Sequence, residues 1–236
     1  MGSIMKSLIT LFKSLFYHAG LNHENMQGTG FFYLLKDAAK RNGVEIDSAV
    51  LENQRKYFHT HPFLVNFILG MWLTEYKNGS DPETFKKAYS SAFGALGDSF
   101  FWHSLRPFSF VFAAITGTVD PFLGIMIYLL TFNLFHFTFL FTGYSLGMEL
   151  GRDVIVWFNR IGFNKWPEHF DLVSVFFLGV FLAYIFKTGA EISVDVFFIA
   201  AGYLAMGLIM AKKLDITLGL MINLILSGII FFQLGV

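Results

Sequence analysis

Polar and apolar positions are spread unevenly along this 236-residue chain. Up to Arg106, short apolar runs alternate with eleven Lys plus Arg and nine acidic residues. Beyond it, six basic and eight acidic residues are confined to a few joints. Between those joints lie the apolar stretches Phe122–Met148, Leu172–Phe186, Val196–Ala211 and Ile216–Val236. A bilayer core takes about 20 helical residues, with roughly 17 tolerated. The first and last stretches qualify outright, and the middle two need their flanking residues. The pattern predicts an all-α, polytopic integral membrane protein whose ordinary crossings lie in the C-terminal half.

The N-terminal half reads differently. In "MKSLITLFKSLFYHAG", Leu8, Leu11, Phe12, Leu15 and Phe16 share one helical face, while Lys6 and Lys13 interrupt the run. That predicts an interfacial amphipathic helix over residues 1–20 rather than a signal peptide. Phe63–Tyr76 is too short to cross and is expected to re-enter or to be buried. Ala92–Trp102, "AFGALGDSFFW", is interrupted by glycine and carries Asp98 in its middle. Short, broken apolar segments of this kind point to a transporter's binding site, where freed backbone faces a cavity. The expected division is therefore 1–20, a substrate-site half over 21–106, and a transmembrane half over 107–236.

Composition strengthens the membrane reading. Hydrophobic residues make up 55% of the chain and charged ones 14%, with mean hydropathy +0.56. Soluble domains are about a quarter charged, and a soluble globule could not hide so much apolar surface. The formal net charge of zero argues against a nucleic-acid partner. The absence of cysteine excludes disulfides and thiolate chemistry. No ATP-binding loop, triad or phosphorylatable nucleophile is present, so no catalytic residue and no cofactor is expected. Arg152, Arg160 and Lys165 share one joint, and Lys212 with Lys213 lie two crossings later. The positive-inside rule puts both joints, and the charged N-terminal half, in the cytoplasm. Trp157 and Trp166 suit an interfacial belt there.

Several polar groups sit among the apolar runs. His59-Thr60-His61, before Pro62, has three readings: metal ligands, a plain turn, or the polar wall of a pocket. The recurring spacing of a metal site is missing, and only His103 offers a third imidazole nearby. Asp98 is either an N-cap or a site residue, roles that are compatible. Gly143, Gly147 and Gly151 repeat every fourth residue, which predicts a closely packed helix face. Asn133 and His136 are expected to bond a neighbouring helix carbonyl. Arg106 either neutralises Asp98 or marks the cytoplasmic interface.

The segments "NHENMQGTGFFYLLKDAAKR", "YFHTHPFLVNFILG", "ALGDSFFWHSLRPF", "FLGIMIYLLTFNL" and "GYSLGMELG" resemble, in order, motifs of the IID membrane component of mannose/fructose/sorbose-type phosphotransferase systems. The resemblance implies a bacterial inner-membrane sugar permease subunit that pairs with a IIC chain, the heterodimers assembling as trimers. It implies transport of a hexose, phosphorylated on arrival by the IIB domain of the IIA/IIB phosphocarriers. On this reading Gln27, His59, Thr60, His61 and Asp98 line the sugar pocket, with Trp102 stacking on a pyranose face. The chain departs from the family pattern at His59, where an amide is usual, and at Asp37, Ala92 and Ile125, where prolines are typical. Those departures leave a second reading open: an orphan scaffold or sensor that binds a partner helix through the Gly143/Gly147/Gly151 face. A metal-dependent membrane enzyme is a third and weaker one.

Overall fold

The computed structural model describes residues 2–189 and Gly202. Every regular element among them is helical, and the only β pairing is the isolated bridges Asn22–Met26 and Met26–Phe58. Met1–Phe181 form one compact unit and Leu182–Val236 another. Of the second unit, the described part is the end of α9 (Trp166–Gly189) and Gly202. That helix covers the expected Leu172–Phe186 stretch. The two later stretches, with Lys212 and Lys213, lie outside the described residues.

The first unit is organised on two parallel partners, α4 (Val65–Lys77) and α7 (Pro121–Leu150). Among the described residues, α7 is the one helix long and apolar enough to cross a membrane. Its 30 residues rise about 45 Å. Asp120 starts it, accepting from the amides of Phe122 and Leu123 ahead of a proline that needs no partner. Phe122, Ile125, Leu130 and Leu134 stay exposed on the unit. A soluble core helix would have covered them.

The half-length segment proves to be the core. Every residue from Val65 to Leu73 is buried, so α4 is apolar all round because it is surrounded all round. It meets α7 at glycine. A methyl on Gly70 would lie 2.5 Å from the Tyr144 carbonyl oxygen, and one on Gly147 would lie 2.4 Å from that of Phe67. The approach lets side chains bond the facing backbone: Asn66 Nδ2 donates to the Leu140 carbonyl at 2.7 Å, and Thr74 Oγ1 to that of Met148 at 2.9 Å. Gly143 faces the Phe67 ring, and Gly151, at φ +53, turns the chain beside Glu75. The three-glycine face is thus filled by α4 of the same chain, and it is not free for a partner helix as the scaffold reading requires. Arg152 closes this end, its Nε 2.6 Å from Glu75 Oε2.

α1 (Ser3–Ser14) lies against α7, α2 (Gly28–Asn42) and α4. Its small polar stripe Ser7, Thr10 and Ser14 is buried, while Phe12, Leu15 and Phe16 point outward. Close helix packing favours small side chains at the contact, which leaves the bulky ones on the outer face. Arg41 secures the contact by donating to the Lys6 carbonyl and Thr10 Oγ1, each at 2.9 Å. Asp37 pairs with both Arg41 and Lys13.

α5 (Pro82–Gly97) does not break at its glycines as the sequence pattern suggested. It widens into a π-helix over Asp98–Leu105 and continues as α6 (Arg106–Gly117). Pro107 supplies the reason, since it has no amide for a carbonyl one α-turn back and its ring crowds that carbonyl. The chain takes the wider turn instead, and the Arg106 amide bonds the Phe101 carbonyl five residues back. The joint after α7 folds as α8 (Val154–Arg160) between two short 3-10 turns, burying Val154, Phe158 and Phe163.

Candidate functional site

The expected site residues converge on one region, the junction of α2, the 54–61 loop and the C-terminal half of α5, but they do different things there. The positioning starts at "NHENMQ". Asn22 Oδ1 accepts from the amides of Glu24 and Asn25, both at 3.0 Å, making a tight turn. Met26 then adopts φ +53, the sole positive φ at a non-glycine among the described residues. Backbone held in that region is costly and persists where the surroundings enforce it. Here the Gln27 amide bonds the Phe58 carbonyl at 2.9 Å, tying the start of α2 to the loop.

Gln27 is buried and its side chain is a clasp. Oε1 accepts from Thr60 N at 2.7 Å and from Tyr17 Oη at 2.8 Å, while Nε2 lies 3.2 Å from His18 Nε2. Burial lowers the His18 pKa, and the charge of His59 lowers it further. Gly28 lets the loop pass, since a methyl there would fall 2.3 Å from the Lys56 carbonyl oxygen.

His61 lies deeper. Its ring stacks on Phe101 with centroids 4.8 Å apart and edges against Phe63 at 4.9 Å. A methyl at Gly97 would lie 2.2 Å from its Cβ, so the glycine is what admits the imidazole. The Phe63 amide donates to Nδ1 at 3.3 Å, which places the ring proton of the neutral form on Nε2. That Nε2 and Thr60 Oγ1 are buried and have no partner among the described residues. Trp102, 38% exposed, belongs to the same aromatic cluster, with its ring 5.2 Å from His61 and 6.0 Å from Phe132.

His59 and Asp98 face a cavity of about 710 Å³. α5 provides its floor through Glu83, Lys86, Lys87, Ser90, Ser91, Gly94 and Ala95, Asp98 at the start of the π-helix extends it, and the loop walls it with Lys56, Tyr57 and His59. Asp98 is not an N-cap, because both it and Gly97 have helical backbone and the helix runs straight through. Its carbonyl bonds His103 Nδ1 at 2.8 Å. Arg106 is exposed and forms no ion pair among the described residues. Lys86, only 2% exposed, donates to the carbonyls of Gln54 at 3.0 Å and Lys56 at 3.2 Å, clamping the loop to α5. Burial pulls its pKa down to about 8, against the opposing charge of Glu83 and helped by Lys56.

Of the six expected residues, the structure puts His59 and Asp98 on the cavity. Gln27, Thr60 and His61 lie behind its wall, and Trp102 sits on the aromatic side. No group of three His, Cys, Asp or Glu able to hold a metal occurs among the described residues. Among the described residues, Asn133 and His136 reach no carbonyl of a neighbouring helix. Asn133 donates to Leu129 O in its own helix at 2.8 Å, and the His136 ring stacks on Phe63 at 3.7 Å. The sequence reading missed Tyr17, His18, Lys86, Ser90 and Ser91. The α5 residues were recoverable from spacing, since positions 83, 86, 87, 90, 91, 94, 95 and 98 lie on one helical face.

With that geometry in place, comparison with known proteins gives a consistent picture. A profile of the phosphotransferase-system mannose/fructose/sorbose family IID component matches residues 5–235. The mannose-specific EIID component of Escherichia coli strain K12 is 25% identical over 181 residues, 71% of this chain and 63% of that protein. That of Escherichia coli O6:H1 is equally similar over 62% of its length. The matched region thus spans under two thirds of these relatives. Among solved structures, one described as a membrane protein superposes with TM-score 0.70 at 18% identity, covering 98% of this chain and 97% of the other. A cryo-EM structure of the mannose transporter ManYZ with microcin E492 gives TM-score 0.56 at 20% identity, covering 100% and 98%. At these identities the likeness establishes the fold.

Proposed function

The chain belongs to the mannose/fructose/sorbose family IID components of the phosphotransferase system, and from that premise we propose that it is a membrane subunit of a sugar permease. It translocates a hexose together with a IIC partner while a IIB phosphocarrier phosphorylates the sugar. The relatives are mannose-specific components, which supports a hexose as the cargo. In this reading the protein is multi-pass in the bacterial inner membrane and assembles as a trimer of heterodimers. The amphipathic residues 1–20 and the site half 21–106 work against the helices of 107–236.

One observation carries the reading: a cavity of about 710 Å³ lined by His59, Asp98, Ser90 and Ser91. Small-ligand sites run to roughly 300–1,000 Å³, so the volume accommodates a monosaccharide. Carboxylate, imidazole and hydroxyl groups supply the donors and acceptors that sugar hydroxyls need. Gln27 and His61 act as positioning residues that hold the 54–61 loop. The test is sugar uptake by cells expressing the chain with its IIC and IIB partners. Asp98→Asn and His59→Ala should lower uptake while membrane assembly persists. Unchanged uptake in both would remove the cavity from the transport path.

A further inference from the structure

The cavity floor is electrically lopsided. One end carries Lys86 and Lys87 on α5 with Lys56 on the loop, and Asp98 lies about three turns further along the helix, with His59 also on the cavity wall. From residue 86 to 98 the helix rises about 18 Å, longer than a monosaccharide, so the two ends are separate subsites. None of the three lysines forms an ion pair among the described residues. Lys86 is the informative one, a cation almost wholly buried whose Nζ donates to just two carbonyls. Beyond those carbonyls its Nζ lies 5.6 Å from the centre of the Phe58 ring, and Lys86 lines the cavity floor. Glu83 lies at this end too, but its Oε1 accepts from Gln54 Nε2 at 3.1 Å. The hydroxyls of Ser90 and Ser91 stand one turn along the same face.

We infer that the lysine end is a subsite for a phosphorylated monosaccharide, its phosphate held by Lys56, Lys86 and Lys87 and its hydroxyls by Ser90 and Ser91. The inference rests on the sugar-permease reading and extends it. A neutral sugar is accepted at the Asp98–His59 end. Once esterified it carries close to two negative charges, which Asp98 repels and the lysines attract. The groove therefore favours movement of the product away from the entry subsite and disfavours its return.

The test is calorimetric titration of the full chain in detergent with mannose 6-phosphate, mannose and inorganic phosphate as probes. Charge-assisted contacts predict that mannose 6-phosphate binds about tenfold more tightly than either of the others. Lys87→Gln and Lys56→Gln, both at exposed positions, should erase that advantage and leave mannose binding unchanged. These variants spare Lys86, whose loss could unclamp the loop. A phosphorylated sugar that binds no better than inorganic phosphate, or that keeps its advantage in both variants, overturns the inference. Lysine-dependent binding of mannose 6-phosphate with no mannose binding at all would uphold this subsite and sink the Asp98–His59 one. Mannose binding without any gain from the phosphate would do the reverse.

Discussion

Gln27 Oε1 accepts the backbone amide of Thr60 at 2.7 Å, across 33 residues of chain. The bond fixes the loop that carries His59 and His61, and the same oxygen also holds Tyr17. Gln27→Ala would strand two buried donors, each costing about 1–3 kcal/mol. Thermal unfolding of the purified chain should show Gln27→Ala well below the parent, with Gln27→Glu, which keeps the acceptor, between them. An unshifted midpoint in the alanine variant would mean that the loop is held by other contacts.

Glycines on α7 and α5 should respond in opposite senses to the same methyl group. Gly147→Ala forces a methyl against backbone at 2.4 Å, where neither α4 nor α7 can yield, and should destabilise by several kcal/mol, roughly the 1–3 kcal/mol of overpacking or more. Gly94→Ala meets nothing nearer than Thr60 Cα at 3.7 Å and should gain about 0.5–1 kcal/mol of helix propensity. Paired thermal melts decide it: similar midpoints would show that α4 and α7 do not approach so closely.

Asp37 stands where related sequences are expected to carry proline, and here it anchors α1 through Lys13 and Arg41. Burial alone would raise its pKa, but the hydrogen bonds and charges of those two residues outweigh burial and hold it below 3.8. A lowered folded-state pKa means stability fully present above the ordinary value and lost as pH falls through the folded one. Asp37→Asn should cost about 1 kcal/mol at neutral pH and flatten the acid limb of the stability profile. An acid limb identical in the variant and the parent would assign the acid response elsewhere.

What the sequence revealed and what it hid have separate physical causes. α7 was legible as one long helix because the run from Phe122 to Met148 carries no charge. α4 was legible as a buried piece because it is too short to span and has no polar face. The packing stripe of α1 was not read from the sequence, because hydrophobicity ranks Ser7, Thr10 and Ser14 as solvent-facing, whereas close helix packing selects them for size. The π-helix is dictated by Pro107, which lies beyond the segment that widens. Pairings such as Gln27 with Thr60 join distant parts of the chain, and no local pattern announces them. The α5 groove had the right spacing, yet a face of Lys, Glu and Ser reads as solvated until a loop is laid over it.

Lys86 gives the clamp on that loop an alkaline signature. Its folded-state pKa is about 8 against 10.5 ordinarily, so the unfolded chain binds the proton more tightly. Between those values the unfolded state holds more protons, and stability should rise with pH. Most lysines, drawn to acidic neighbours, act in the opposite direction, which makes the rise distinctive. Lys86→Met retains the stem's packing and removes the charge, so its melts should lose the rise. The two carbonyls that Lys86 serves would then lack their donor, and the variant should be less stable than the parent by about 1–3 kcal/mol. If the parent shows no gain between pH 8 and pH 10.5, Lys86 keeps its proton, and the cation at the cavity floor is stabilised by something other than two carbonyls.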